Sequence, residues 1–508
     1  MMSAIDRFLN RITMYRLVLY YLAALLAVAV VLSFFGLVPY SPFAILFSLA
    51  VLTGTAWLVN RIFARAFHVP ANVESVYITA FILALIIDPP FASNLFSNFG
   101  FLVGAAALAM ASKYLLAIRG KHIFNPAAVA VVITGLAIGQ FASWWVGSAP
   151  LLLFVVAGGF LVIRKVQRSD LATMFVVVAL VTTVAYTFTN TDPLTTLYRV
   201  ITDSPLFFFA AVMLTEPLTM PPTKGRQVAY AALVGFLFAP QVHFGSFYLS
   251  PELALVIGNV FSYLVSPKGK YALTLSSKQP AADGIYDFTF SSDKPLDFRP
   301  GQYLEWTLGH EHPDSRGNRR YFTIASSPTE SKVLLGVKFY DRMSSFKKKL
   351  IAMQPGDTIV ASQLAGDFVL PKDKRKKLVF IAGGIGITPF RSMLKYLSDR
   401  KEKRSIVIIY SAASPEEVAY YDVLKEAADR IGAKTVFTFT DRSKLDPSWR
   451  GHTGHVDAAM IAREVPDYRD RTFFISGPPA LVSSCKKMLG NLEVAPAQIK
   501  TDFFPGLA

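Results

Sequence analysis

Ten apolar runs crowd the first 266 residues of this chain, and the loops between them divide sharply by charge. The runs are 15–37, 43–63, 75–87, 99–118, 126–141, 150–163, 172–188, 205–214, 228–238 and 252–265. Arg7, Arg11 and Arg16 precede the first run. Arg61 and Arg65 follow the second, Arg119 and Lys121 the fourth, Arg164, Lys165 and Arg168 the sixth, Lys224 and Arg226 the eighth, and Lys268 and Lys270 the last. Loops 91–99 and 143–149 hold no Lys or Arg, and 189–204 holds Arg199 alone. Several runs fall short of the ~20 residues a full crossing needs. Ten crossings with both ends in the cytoplasm nonetheless put the basic loops on one side, as the positive-inside rule requires. The expectation is a membrane α-helical bundle of about ten transmembrane helices, bathed in lipid in a prokaryotic-type cell membrane. Both termini, and everything after residue 266, would then be cytoplasmic. The same topology accounts for the net charge of +16, so no nucleic-acid partner is expected. Run 15–37 is long enough to span and no small-residue cleavage site follows it, so it is not read as a signal peptide.

At 508 residues the chain exceeds one ordinary core. Residues 268–508 read as a soluble half rich in Lys, Asp and Glu. Cys485 is the only cysteine, which excludes a disulfide framework and a cysteine-ligated iron–sulfur cluster within the chain. Haem on a transmembrane path needs paired axial histidines. The apolar half offers His68, His122 and His243 on separate elements, so neither haem nor another metal is expected. Electron transfer, if present, must run on organic cofactors.

A weak internal repeat runs through the apolar half. Leu85-Ile86-Ile87-Asp88-Pro89-Pro90 is echoed by Met213-Leu214-Thr215-Glu216-Pro217, and Asn125-Pro126-Ala127-Ala128 by Ser250-Pro251-Glu252-Leu253. The offsets are 128 from Asp88 to Glu216 and 125 from Pro126 to Pro251. Five crossings per copy is an odd number, so the copies would be inverted, with Pro-broken helices meeting near the midplane where such folds hold ligands. Asp88 and Glu216 occupy matching helix ends, either as an ion site or as interfacial residues touching water. His122 stands at a helix start, as a ligand or as a hydrogen-bonded structural residue.

Gly120-Lys121-His122-Ile123-Phe124-Asn125-Pro126-Ala127-Ala128, Leu214-Thr215-Glu216-Pro217-Leu218-Thr219 and Pro222-Thr223-Lys224-Gly225-Arg226 resemble signatures of one family. It comprises the B subunit of the sodium-translocating NADH:quinone reductase and the D subunit of the Rnf electron-transport complex, and the resemblance covers residues 15–265. It implies a flavin in the membrane domain, often FMN esterified to Thr in an outer Ser-Gly-Ala-Thr motif. That motif is missing here. Its nearest counterpart is Asp192-Pro193-Leu194-Thr195-Thr196-Leu197, so the resemblance implies a non-covalent FMN or riboflavin, near His122, Asn125, Thr215 and Lys224.

In the soluble half, Leu378-Val379-Phe380-Ile381-Ala382 reads as a buried strand. It feeds a glycine turn, Gly383-Gly384-Ile385-Gly386-Ile387-Thr388, and then a helix from Pro389 to Leu397. A strand–glycine–helix turn suits a pyrophosphate, because backbone N–H groups and the helix dipole face the anion; it can equally be tight packing. Before it, alternating runs 272–275, 286–290 and 333–340 fit a small antiparallel β-barrel over 267–371. After it, strands 405–410, 435–440 and 471–475 alternate with helices 415–428 and 479–489, an α/β parallel sheet over 372–508.

Companions flank the glycine turn at ordered spacing. Arg299-Pro300-Gly301-Gln302-Tyr303 is read as closing a strand. Arg320-Tyr321-Phe322-Thr323, Ser344-Ser345-Phe346, Gly366-Asp367-Phe368 and Ser476-Gly477-Pro478-Pro479 follow. Their order resembles the ferredoxin–NADP reductase family over 271–504. The resemblance implies FAD in the barrel and NAD(P)H on the sheet. It puts Phe322 against the flavin ring, Thr323 at its N5, and Arg320, Ser344 and Ser345 on its pyrophosphate. Tyr321 lies within the same flavin motif. Gly383, Gly384, Gly386 and Thr388 would bind the dinucleotide's pyrophosphate, and Ser476, Gly477 and Pro478 would lie beside the nicotinamide. Ser476 stands where the family usually has Cys. Phe503 or Phe504 would cover the second flavin face. Ser411-Ala412-Ala413-Ser414 lacks the Arg that a 2′-phosphate calls for, favouring NADH, with Arg442 in the next loop able to reverse the choice.

These readings converge on a membrane-bound NAD(P)H oxidoreductase. Electrons would run from NAD(P)H through FAD to a membrane flavin and on to quinone or an outer-face acceptor, with or without ion movement and partner subunits. The rivals are a transporter or sensor regulated by its flavin domain, and a transmembrane ferric or oxygen reductase.

Overall fold

The computed structural model describes residues 2–9, 12–67, 73–90, 94, 96, 98–118, 121–187, 192–310, 314 and 317–502. Phe503, Phe504, Arg119, Gly120 and His68 lie outside the described residues. The chain forms two compact units that meet in sequence between Ser266 and Pro267.

Each of the ten apolar runs contains a helix in the first unit. Four are long and apolar enough to cross a membrane: Met14–Phe34, Pro42–Ala66, Ala149–Val166 and Ser169–Thr187. The others are shorter: Val73–Ile86, Phe99–Leu115, Pro126–Ile138, a short helix running from Leu206 into the π-helix Phe209–Met213, Lys224–Phe238 and Pro251–Val265. The starts are written in the sequence as a polar cap followed by proline. Ser41, Asn125, Asp192 and Ser250 each accept a backbone N–H of the first turn, and Pro stands at the next position. The Asp192 cap opens a helix not expected from the apolar pattern, Pro193–Thr202, with Leu194 and Tyr198 exposed.

The two halves of this unit share an element order. Helix Phe99–Leu115, the two-residue hairpin Ala117–Ile118/Lys121–His122 and helix Pro126–Ile138 recur as Lys224–Phe238, His243–Phe244/Phe247–Tyr248 and Pro251–Val265. Pro42–Ala66 packs on Phe99–Leu115 as Ser169–Thr187 packs on Lys224–Phe238. The packing is close: a Cβ on Gly235 would come within 2.7 Å of the Phe175 carbonyl oxygen.

The second unit holds two six-stranded sheets. The first is built from β1 (Lys270–Ala282), β2 (Ile285–Ser292), β3 (Tyr303–Thr307), β4 (Arg319–Thr323), β5 (Val333–Lys338) and β6 (Thr358–Ala365), in the antiparallel order β4-β3-β6-β1-β2-β5. The expected antiparallel barrel takes the form of a curled sheet. No ladder joins its edges β4 and β5 among the described residues; beyond the end of β4, the Ala325 N–H donates to the Leu334 carbonyl (2.9 Å). Inward-facing Leu273, Phe288, Phe290, Leu304, Trp306, Leu335 and Ile359 fill the curl.

The second sheet comprises β7 (Leu378–Gly383), β8 (Ile406–Ala412), β9 (Lys434–Phe439), β10 (His452–Thr453), β11 (Thr472–Ser476) and β12 (Ile499–Thr501), all parallel, in the order β10-β9-β8-β7-β11-β12. β7 is buried along its whole length, as a central parallel strand should be. Two local expectations are corrected. Arg299–Tyr303 opens β3 rather than closing a strand: Gln302 N–H turns back to Arg299 O (3.1 Å). Gly301 has φ +93, and a Cβ there would meet the Phe368 carbonyl oxygen at 2.0 Å, so the position suits glycine on both counts. The single helix expected over 415–428 is a 3-10 turn Pro415–Glu417 followed by Tyr421–Ile431. Tyr420 breaks it with φ 59, carrying its hydroxyl to Asp287 Oδ1 at 2.6 Å.

Candidate functional site

The flavin-motif residues sit on β4, where strand alternation separates them. Arg320 is 6% exposed. Its guanidinium donates from Nη1 to Gly317 O (3.0 Å) and Arg319 O (2.6 Å), and from Nη2 to Asp314 Oδ1 (3.3 Å). The other oxygen of Asp314 accepts the N–H of Ser345 (3.1 Å), the first residue of helix Ser345–Ala352. Ser344 caps that helix through Lys347 N–H (3.3 Å), and Ser345 Oγ meets His310 Nε2 and Asp314 N–H, both at 2.9 Å. A buried guanidinium and a helix N-terminus therefore converge on one carboxylate. In this arrangement Asp314 supplies the negative charge that the guanidinium and the helix N-terminus favour.

Phe322 shares the Arg320 face and packs 6.0 Å from Phe346, over which the Arg320 guanidinium also lies (5.2 Å). Thr323 is buried opposite Tyr303 in the ladder. Tyr321 points to the other face, its hydroxyl on Glu305 Oε2 (3.0 Å) and its ring edge-on to Tyr303. The structure thus takes Tyr321 away from the Arg320–Ser345 group.

The nucleotide-motif residues gather at the C-terminal ends of β7 and β11, which pair in register from Leu378↔Thr472 to Ala382↔Ser476. Gly383 ends β7, Gly384–Ile387 makes a 3-10 turn, and helix Thr388–Asp399 follows, with Thr388 Oγ1 donating back to Ile385 O (3.2 Å). Gly386 must be glycine because a Cβ would lie 2.4 Å from the Ser476 carbonyl oxygen. The packing and phosphate accounts of this turn are therefore compatible: Gly386 locks two loops together, and the Gly384 Cβ direction faces open space. Pro478 precedes helix Pro479–Asn491. Ser476, 3% exposed, donates from Oγ to Asp502 Oδ2 (3.1 Å). Asp502 was not singled out in the sequence; its signal was an acid directly before Phe503.

The flavin and nucleotide motifs are neighbours. Ala325 O, two residues past Thr323, accepts from Arg391 Nη1 (3.1 Å), and Ser326 O accepts from Ser392 Oγ (2.6 Å), both within the first turns of helix Thr388–Asp399. Arg391 also grips Glu330, and burial pushes the nearby Asp287 carboxyl up. A cleft of about 460 Å³ lined by Asp287, Glu330, Lys332 and Arg391 contains none of the nominated residues. Cys485 is buried beneath the sheet and its thiol is pushed up to about 11, so it is no nucleophile here.

In the helical unit the nominated residues come together only in part. His122 Nε2 meets Glu216 Oε1 at 3.0 Å, and Thr219 Oγ1 donates to Glu216 Oε2 (3.2 Å). Asn125 caps its helix, and its N–H donates to Asn259 Oδ1 (2.8 Å), whose Nδ2 reaches Tyr230 (3.3 Å). Thr215 turns its hydroxyl back to Ala211 O (2.7 Å). Lys224, largely exposed, pairs with Asp170 (2.9 Å) at the start of the neighbouring helix. Tyr40 donates to Asp88. Sequence reasoning passed over Lys113, whose ammonium donates to Ser75 O, Ser75 Oγ and Thr79 Oγ1 (3.0, 2.9 and 2.9 Å) within electrostatic reach of Glu216. A lone lysine in an apolar run was the available signal. Glu252 was passed over too; its Oε2 accepts from Trp144 Nε1 (2.8 Å). Among the described residues no three His, Cys, Asp or Glu side chains form a metal-binding group.

A family described as the oxidoreductase NAD-binding domain matches residues 380–487, from β7 through the last helix of the second unit. Among curated proteins, a flavohemoprotein of Bacillus subtilis (strain 168) is 31% identical over 215 residues, covering 42% of this chain and 53% of that one. A glycine betaine monooxygenase reductase subunit of Pseudomonas aeruginosa (strain UCBPP-PA14) is 28% identical over 210 residues, covering 40% and 56%. The chain thus spans about half the length of these relatives. The solved flavohem-like FAD/NAD-binding domain of nitric oxide dioxygenase from Vibrio cholerae O1 biovar El Tor has a TM-score of 0.41 and 20% identity, covering 46% of this chain and 98% of that chain. The second unit is thus similar to oxidoreductases of this kind, with residues 380–487 matching the NAD-binding domain. The likeness is to NAD(P)H-dependent flavoprotein oxidoreductases.

Proposed function

We propose that this chain is a membrane-bound oxidoreductase that passes electrons from NAD(P)H through FAD to a second flavin in the helical unit, and on to quinone or an outer-face acceptor. The observation that carries the proposal is a set of polar contacts, His122 with Glu216, Lys113 with Ser75 and Thr79, and Asn125 with Asn259 and Tyr230, inside an apolar unit covalently joined to the reductase. Buried polar groups among apolar helices are costly and mark ligand or ion paths. A non-covalent FMN or riboflavin suits this set: it has donors and acceptors for the polar edge of a flavin, and the outer loop lacks the motif for covalent attachment. Five-element halves arranged as an inverted repeat across ten crossings, with the reductase unit cytoplasmic, complete the reading.

In the reductase unit, Arg320 and the helix start at Ser344–Ser345 would hold the FAD pyrophosphate in place of Asp314. Phe322 would lie against the ring, Thr323 near its reacting nitrogen, and Tyr321 would brace the strand through Glu305. Gly383, Gly384, Gly386 and Thr388 would seat the nicotinamide cofactor's pyrophosphate, with Ser476, Gly477 and Pro478 beside the nicotinamide. FAD, when bound, accepts a hydride and releases electrons singly. Asp502 fixes the direction of the Ser476 hydroxyl, so that Ser476 orients rather than reacts. NADH is favoured, because 411–414 carries no Arg. Asp88 and Glu216 are the candidates for coupling to ion movement.

The test uses the purified full chain. Two flavins per chain, both released on denaturation, and NADH-driven reduction of a quinone analogue are expected. One flavin and no quinone reduction would overturn the proposal. That result would favour a transporter or sensor governed by its reductase unit.

A further inference from the structure

Glu252 is the most buried acid among the described residues, at 1% exposure. It stands in the first turn of Pro251–Val265, below the Ser250 cap. Oε2 is held by the Trp144 indole N–H at 2.8 Å and Oε1 has no hydrogen-bond partner, the Ser250 hydroxyl and the residue's own N–H being the other polar groups beside the carboxyl. An uncompensated charge in such surroundings is costly, and it is relieved by a cationic side chain, a metal ion or a proton.

Among the described residues, the elements packed on this helix bring no cationic side chain to Glu252. Pro126–Ile138 carries no ionisable residue. Lys224–Phe238 places Lys224 and Arg226 in its first turn, whereas its last residues lead toward Ser250; its Tyr230 is engaged by Asn259. Leu206–Met213, reached through Trp144, has no ionisable residue, and the exposed His243 of the preceding hairpin binds Gly245 O (2.8 Å). A metal ion needs several oxygen ligands, and a single free carboxyl oxygen cannot supply them. A proton needs one.

The surroundings are irregular in ways that a merely structural acid does not require. Trp144 has φ 57, a sparsely populated region for a bulky residue. Its N–H and that of Ser143 close onto Ile86 O (3.0 and 2.9 Å), and Val146 N–H onto Leu85 O (3.1 Å), at the C-terminal end of helix Val73–Ile86. Its ring lies 5.7 Å from Phe209, the first residue of the π-helix Phe209–Met213, a form frequent at functional sites. We infer that Glu252 is a proton-binding site inside the helical unit, with Oε1 taking the proton while Trp144 holds Oε2. The step is the addition of one proton to a carboxylate to give a carboxylic acid, with no electron consumed. Coupling this uptake to electrons arriving in the helical unit rests on the proposed function.

Infrared difference spectra of the full chain in lipid nanodiscs test it, first between acid and alkaline pH and then between NADH-reduced and oxidised states. A carboxylic C=O band that shifts in D₂O, disappears in Glu252→Gln and moves in Trp144→Phe is expected. A band unchanged in Glu252→Gln would overturn the inference. If Glu252→Gln does not assemble, Glu252→Asp and Trp144→Phe decide: a displaced band supports the assignment and an unmoved one overturns it. The pH arm needs no electron transfer. A Glu252 band present there but silent on reduction keeps the proton site and defeats the electron path instead.

Discussion

The two units bury polarity by opposite rules. In the reductase unit the polar groups of the site stand at strand ends and helix starts: Arg320 on edge strand β4, Ser345 opening its helix, Ser476 closing β11. The strands beneath are plain core, and Val379, Phe380 and Ile381 do nothing but pack. In the helical unit Lys113 with Ser75 and Thr79, and Asn259 with Tyr230, bind helix to helix, while His122 with Glu216 ties a hairpin to a loop and Glu252 with Trp144 a helix to a loop. Sites at the ends of a rigid scaffold can change without changing its stability. Sites made of interior pairs cannot, because removing one partner strands the other. The lesson is that activity and stability separate in one half of this chain and travel together in the other.

The largest expected effect breaks the rule inside the reductase unit. Gly386→Val pushes a side chain into the Ser476 carbonyl, 2.4 Å from the first added carbon. Backbone on both sides must move, and destabilisation above about 3 kcal/mol is expected, read as a collapse of the reductase unit's thermal transition. A normal melt with lost NADH binding would show the two turns to be independent. Next comes Arg320→Ala. Losing charged hydrogen bonds worth about 1.5–3 kcal/mol should weaken FAD binding about 10- to 100-fold in a titration of apoprotein. Retained affinity would remove Arg320 from the site.

How much of this was legible follows from where each signal lies. The glycine turn, β7 and the following helix are written in contiguous residues, and so are the capped starts at Ser41, Asn125 and Ser250. Partners far away in sequence are not. The break at Tyr420 depends on Asp287, 133 residues earlier, and Glu252 finds Trp144 across 108 residues. The curl of the first sheet depends on Ala325 meeting Leu334, which alternation alone does not specify. The hairpins at 117–122 and 243–248 have strands of two residues, too short for any periodicity to register. Lys113 and Glu252 were visible as lone charges in apolar runs, and what they hold was not.

A middle-sized effect sharpens the contrast from the helical side. Glu216→Gln keeps the size but removes the charge facing His122 and Lys113. About 1–2 kcal/mol of stability should be lost from the helical unit, together with quinone-analogue reduction, while FAD reduction by NADH proceeds at the wild-type rate. Thermal melts and stopped-flow absorbance read the two quantities on one preparation. If quinone reduction falls with no change in melting, function and stability separate here as well, and the contrast between the halves is gone.

The smallest effect concerns how the reductase unit responds to acid. Asp467 sits between Arg471 Nε (2.6 Å) and Lys377 Nζ (2.8 Å), the residues leading into β11 and β7. The Arg471 hydrogen bond, then that of Lys377, holds its carboxyl down to about 2. Glu464 is held to about 2 mainly by Lys434, then by His452. A folded value below the unfolded one of about 4 means that the stabilisation is complete above about pH 4 and is lost as pH falls toward about 2. The side chain of Asp467 is 30% exposed, so solvent screening leaves about 1 kcal/mol. Asp467→Asn should therefore lower the urea midpoint of the reductase unit at neutral pH and leave it nearly unchanged at about pH 2, flattening the acid limb of the stability curve. An acid limb as steep as that of the wild type would move the acid sensitivity away from the base of β7 and β11. The reductase unit would then owe its cohesion to apolar packing rather than to ion pairs at its strand starts.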